Sequence, residues 1–203
     1  AQLVQARAVE IGLKHFRSLY ETCSGSILWQ YNDMWPALSW AVLDSNSSRK
    51  LAWYSMQDAY RPRLLHISAT DRKIVLINDR PEHWQNSLKL HLIDLNGNLL
   101  DSAEQGLNIY PLSKQTVELS ELFENLALAD INGFIVATFG ELRVSRRMTD
   151  LPIASLNPQS VSIETSIFGT KLTAKVTANK FVTEFSLLPE LVATGQAIVS
   201  KQR

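Results

Sequence analysis

Apolar residues Val9, Leu13, Phe16 and Tyr20 recur at helical spacing through residues 2–22, while Glu10, Lys14, Arg17 and Glu21 occupy other faces. This stripe predicts a long amphipathic helix, with Gly25 as its stop. Residues Ser26–Tyr31 are short and mostly apolar, the pattern of a strand buried on both faces. A second helical pattern over 48–60 can begin at an N-capping Ser47 or Ser48 and must finish before Pro62. The front of the chain therefore predicts an α-β-α unit.

From Arg63 onward the period falls towards two. Strands are expected at 64–69, 73–78, 88–94, 115–119 and 133–139, with Asn96-Gly97 as a two-residue hairpin signal before 98–102. Residues 120–126 read as a short helical turn. Six or seven short strands between 62 and 150 fit an immunoglobulin-like β-sandwich. Residues 151–158, with Pro152 and Asn157-Pro158, read as a linker, and strands resume at 161–165, 171–176, 181–187 and 197–200. So short a tail buries too little apolar area to stand alone, and it is expected to lean on its neighbour.

The expected organisation is thus an α+β chain: residues 1–62 an α-β-α piece, 63–151 a sandwich, and 152–203 a short β-domain. One buried-type strand flanked by two helices can satisfy neither its backbone groups nor its two faces without further strands. The front reads as part of something larger.

Charge and composition narrow the function classes. Twenty Lys and Arg balance twenty Asp and Glu, and no basic stripe with interleaved aromatics exists, so nucleic acid is not an expected partner. No apolar run reaches the ~20 residues of a membrane span, so no membrane partner is expected either. Cys23 is the single cysteine, which excludes an internal disulfide and fits a reducing, cytoplasmic setting. His15, His66, His83 and His91 are scattered without ligand spacing, so no metal is expected. Neither a Gly-x-Ser-x-Gly nucleophile motif nor a glycine-rich phosphate loop occurs, and no cofactor is expected.

One stretch does carry chemistry. Trp29, Trp35 and Trp40, three of the five tryptophans, fall within twelve residues and are interleaved with Asn32 and Asp33. Pyranose rings offer apolar C–H faces to indoles and hydroxyls to amides and carboxylates, so this mixture suits a carbohydrate site. Trp29 reads as a sugar-stacking residue or a packed tryptophan, Asn32 and Asp33 as hydroxyl ligands or loop caps, and Trp35 as a wall or a packing anchor. Trp40, Trp53 and Tyr54 read as packing residues.

The string Gly25-Ser26-Ile27-Leu28-Trp29-Gln30-Tyr31-Asn32-Asp33-Met34-Trp35-Pro36 with Ser39-Trp40, followed by Arg49-Lys50-Leu51-Ala52-Trp53-Tyr54 and Arg61-Pro62, resembles the end of the catalytic barrel in β-mannosidases of glycoside hydrolase family 2. The resemblance implies that residues 1–62 close a (β/α)8 barrel, that immunoglobulin-like sandwich domains follow, and that Trp29 floors the sugar subsite beside Asn32, Asp33 and Trp35. It implies a β-mannoside oligosaccharide or glycoconjugate as substrate, and an upstream barrel domain as the partner of this segment. In that family two glutamates on earlier barrel strands do the chemistry, so no catalytic residue is expected here and the segment alone should be inactive. Two alternatives remain: an exo-β-glucosaminidase of the same family, which tends to carry Asn-Asn at 32–33, and a non-catalytic carbohydrate-binding sandwich. The latter predicts exposed aromatics after residue 63, where Trp84 is the one tryptophan.

Overall fold

The computed structural model describes residues 2–68, 72–123, 132–148, 161–169 and 171–178. Helix α1 spans Gln2–Ser18 and helix α2 Leu51–Ala59. Strands follow at β1 (Arg63–Ile67), β2 (Lys73–Asn78), β3 (Trp84–Asp94), β4 (Leu99–Ile109) and β5 (Ser113–Glu118). A single turn of helix, α3 (Leu119–Leu122), precedes β6 (Gly133–Phe139) and β7 (Leu142–Arg147), and β8 (Val161–Phe168) and β9 (Lys171–Ala178) complete the order. The class is α+β with mainly antiparallel sheets.

Strands β1, β2 and β5 form one antiparallel sheet in the order β1-β2-β5, with Leu65 opposite Leu76 and Leu76 opposite Gln115. A second sheet has the order β4-β3-β6-β7. Ile74, Val75, Leu76 and Ile77 are all buried, so β2 is covered on both faces. Leu64, Val75 and Ile77 cluster on one of them, and α1 packs against β2.

The described residues fall into two compact units. The larger contains α1, α2 and the three-stranded sheet. In it Trp84 and Phe139 meet edge to face with centroids 4.7 Å apart, a favoured aromatic geometry. The smaller contains the hairpin turn, where Asp94 accepts the amides of Asn96 and Asn98 at 2.8 Å, and the β8-β9 pair.

The helices differ from expectation in informative ways. α1 ends at Ser18 rather than running to residue 22, and Gly25 has no left-handed φ, so it is not the cap. Its inward face is Ala6, Val9, Leu13 and Lys14, while Phe16 and Tyr20 from the expected stripe are exposed. Charge pairing decides this: Lys14 is buried between Glu10 at 2.5 Å and Asp58 of α2 at 3.3 Å, and a buried ammonium must be paired. The N-cap of α2 is Lys50, two residues beyond Ser48 and three beyond Ser47, with no side-chain capping bond. Asp44 instead holds the amides of Asn46 and Ser48 in a turn.

One guanidinium joins three elements. Arg17 on α1 donates through Nη1 to the carbonyls of Ala59 at 2.5 Å and Arg61 at 2.8 Å, and through Nη2 to Asp79 after β2 at 2.6 Å. Nearby, Tyr20 donates to the Leu112 carbonyl and Lys114 of β5 to the Ser18 carbonyl.

The expected strand at Ser26–Tyr31 enters no ladder among the described residues. Isolated bridges join Asn32 to Leu43 in parallel and Leu43 to Arg49 antiparallel. Of the later expectations, the linker at 151–158 and strands at 181–187 and 197–200 lie outside the described residues.

Candidate functional site

The chain leaves α1 in an extended path whose side chains alternate between the helices and open solvent. Leu28 turns inward onto the cluster of Ala6, Val42 and Ala52, which Val9, Leu51, Trp53 and Met56 also pack against. Ile27, Trp29 and Tyr31 are exposed, Trp29 at 73% of its surface. The peptide bond between Trp29 and Gln30 is cis.

Beyond Tyr31 the main chain folds back on itself. Tyr31 accepts the amides of Val42 at 3.1 Å and Leu43 at 2.9 Å, and the Asp33 amide donates to the Leu43 carbonyl at 3.1 Å. These bonds close residues 34–41 into a loop carrying Met34, Trp35, Leu38 and Trp40 on its outside, Trp35 at 68% exposure. Trp40 was expected to pack and does not, although its carbonyl accepts from Gln5 of α1 at 2.8 Å. Trp53 does pack: it meets Tyr54 edge to face at 5.2 Å and lies under Arg49, whose guanidinium is 4.0 Å from its centroid.

Asp33 faces the other way. Only 6% of it is exposed; one carboxylate oxygen accepts from the Ser39 hydroxyl and the other from the Lys50 ammonium at 2.6 Å. Ser39 also accepts the amide of Ala41 at 3.0 Å, and the Lys50 amide donates to the Val42 carbonyl at 2.9 Å. Asn32 is exposed, and its side-chain amide donates to the Asp33 carbonyl at 3.3 Å. Of the four expected site residues, Trp29, Asn32 and Trp35 are thus exposed and Asp33 is buried. Ser39 and Lys50, the residues that hold it, stand in the motif string without a part in the expected site. Only the folded chain puts Lys50 at the N-cap, where an ammonium opposes the helix dipole, supplies no capping oxygen and needs a partner.

The Lys50 hydrogen bond, then that of Ser39, holds the Asp33 carboxyl below its ordinary value of 3.8 despite burial. A carboxyl with a lowered pKa in the fold stabilises it above the unfolded value and loses that contribution as pH falls through the folded one. Melting temperature should therefore drop more steeply between about pH 4 and pH 2 in the wild type than in Asp33→Asn. Parallel melting curves over that range would show that the pair does not contribute.

Chemically, the arrangement is a half-site. Two indoles, a phenol and an amide are exposed along residues 29–35, the groups that stack on a sugar ring and bond its hydroxyls. No carboxylate among Trp29, Asn32, Asp33 and Trp35 is placed to protonate a leaving group or attack a carbon, because Asp33 is already engaged.

No family model matches the chain. In sequence it is 36% identical over 64 residues to "Beta-mannosidase B" of Emericella nidulans and to "Beta-mannosidase B" of Aspergillus niger; each match covers 30% of this chain and 8% of the relative. In structure it is similar to a β-D-mannosidase from Dictyoglomus thermophilum, with TM-score 0.72 and 18% identity, over 88% of this chain and 23% of that one. It is likewise similar to an exo-chitosanase from Amycolatopsis orientalis, with TM-score 0.67 and 18% identity, over 88% of this chain and 26% of that one. The chain therefore spans about a quarter of the solved chains it resembles. The β-mannosidase resemblance holds in part of the sequence, and the mainly antiparallel α+β fold is shared.

Proposed function

We propose that this chain is a portion of a β-mannosidase-like retaining glycosidase of glycoside hydrolase family 2 that removes terminal β-D-mannose residues. In this reading residues 1–62 complete the end of a (β/α)8 barrel, 63–151 form the sandwich that follows, and 152–203 a short β-domain. Trp29, Asn32 and Trp35 contribute one wall of the sugar subsite, with Asp33 behind it. The partner of the segment is the upstream barrel of the same polypeptide, which supplies the two glutamates of a retaining mechanism, one as nucleophile and one as acid and base, ~5–5.5 Å apart.

The observation that carries this is the exposed row of Ile27, Trp29, Tyr31, Met34, Trp35, Leu38 and Trp40. So many large apolar side chains exposed within fourteen residues are costly in water and mark a segment that something covers. Residues at the end of a barrel strand meet both kinds of cover. Neighbouring strands would bury Ile27 and Leu38, and a sugar would stack on Trp29 and Trp35, since barrel active sites sit where strands run into loops.

A β-glucosaminide is the second substrate considered, because an exo-chitosanase shares the fold. Asp33 bears on that choice through the shape of the loop, since its carboxylate faces Lys50 and Ser39. The sequence relatives from Emericella nidulans and Aspergillus niger, β-mannosidases by name, favour mannoside.

The test is the reading frame upstream of Ala1 together with two assays. The proposal expects a barrel of ~250 residues bearing two strand-end glutamates, hydrolysis of an aryl β-mannoside faster than of an aryl β-glucosaminide by the longer protein, and none by the 203-residue chain. Turnover by the 203-residue chain itself, or an upstream frame without the two glutamates, would sink it.

A further inference from the structure

We propose that Lys50 is the positioning residue of the tryptophan wall: by gripping Asp33 from the start of α2, it fixes the 31–43 loop, and with it Trp29 and Trp35, before any sugar arrives. The inference rests on the reading of this face as a sugar site and assigns the part that sets its geometry.

Lys50 reaches the loop by two routes. Its main-chain amide bonds the Val42 carbonyl at 2.9 Å, and its ammonium bonds Asp33 Oδ2 at 2.6 Å. Asp33 is anchored in turn by its own amide on Leu43 and by Ser39 on Oδ1. The strand-like segment that carries Trp29 and the loop that carries Trp35 therefore both end on one buried ion pair, itself seated at the N-terminus of α2. Lys50 and Asp33 are 9% and 6% exposed, so water competes little for either charge. Loss of one partner leaves the other buried and uncompensated, which is far more disruptive than loss of a surface pair.

Stacking explains why a wall needs such an anchor. A recognition surface must be held within about 0.5 Å and 10–20° of its working geometry by packing and supporting hydrogen bonds. Trp29 and Trp35 are themselves mostly exposed, so packing does not hold the rings. The main chain beneath them must, and Asp33 is where that chain is fastened. Asp33 is then no sugar ligand but the point of attachment.

Hydrogen exchange on the 203-residue chain and kinetics on the longer protein test this separately. In Lys50→Met the amides of Asp33, Val42 and Leu43 should exchange about tenfold faster, while those of Ile74–Ile77 in β2 keep wild-type rates, because local opening is decoupled from global unfolding. Unchanged exchange in the loop, or equal acceleration in β2, overturns the assignment. In the longer protein Lys50→Met should raise KM for an aryl β-mannoside about tenfold and change kcat less than about threefold, since a displaced wall weakens ground-state and transition-state binding alike. The Asp33→Asn/Lys50→Met double variant should recover part of the loss, having no unpaired charge to bury. An active longer protein whose KM ignores Lys50→Met overturns the positioning role. A longer protein without glycosidase activity would sink the sugar-site reading, and the exchange result would still decide whether Lys50 fixes the loop.

Discussion

Replacing Trp29 by alanine in the longer protein should, on the proposed function, lower kcat/KM on an aryl β-mannoside about a hundredfold, roughly 2.7 kcal/mol at 1.36 kcal/mol per decade. The magnitude follows from area. An indole face covering about 100 Å² of pyranose and ring surface is worth roughly 2.5 kcal/mol at 25 cal/mol per Å². Stability should hardly change, because Leu28 and not Trp29 faces the Ala6, Val42 and Ala52 cluster. Trp29→Phe should retain much of the activity, keeping a smaller ring on the same backbone. Steady-state kinetics beside a thermal melt separate the outcomes. A variant with near-normal kcat/KM would remove Trp29 from the sugar site, and one that melts far below the wild type would make it a packing residue.

Trp84→Ala is expected to cost about 3–5 kcal/mol, the range for deleting a large buried aromatic. Trp84 is 7% exposed, stands edge to face with Phe139, and has the Arg63 guanidinium 5.6 Å from its centroid. Arg63 itself is tied to the His83 carbonyl and to Asn78, so the ring closes a packed polar-apolar junction. Against a total stability of 5–15 kcal/mol, that loss takes up a large share. Urea unfolding followed by far-UV circular dichroism measures it, and a change below about 1 kcal/mol would contradict the packing described. The burial of this ring removes the one tryptophan after residue 63 from any sugar-binding face of the sandwich, and among the described residues the exposed aromatics there are Tyr110 and Phe168.

Much of the sheet was legible because its strongest strands are short apolar runs with sharp ends. β2 and β6 match their expected limits, Lys73–Asn78 and Gly133–Phe139. Weakly patterned strands were not. Leu-Arg-Val-Ser-Arg-Arg of β7 has two apolar residues in six, and β4 continues to Ile109 through Asp-Ser-Ala-Glu-Gln-Gly, which carries no apolar alternation. The helices were found but misoriented, since periodicity counts apolar residues and cannot foresee that Lys14 must face Asp58. At the site the aromatic and amide residues were legible from composition and spacing alone. The ion pair beneath them was not, because Asp33 and Lys50 are seventeen residues apart and only the folded loop makes them neighbours.

Arg17 has a mechanical consequence. Its guanidinium bonds the carbonyls at the end of α2 and the carboxylate of Asp79 at once. Tilting the helices against β2 would stretch three charge-assisted bonds together, and each is of the stronger kind. The two helices and the three-stranded sheet are therefore tied together at a single guanidinium. Tyr20 and Lys114 add their bonds to Leu112 and Ser18 beside it, so a load on the sheet reaches the helices through several polar links at once.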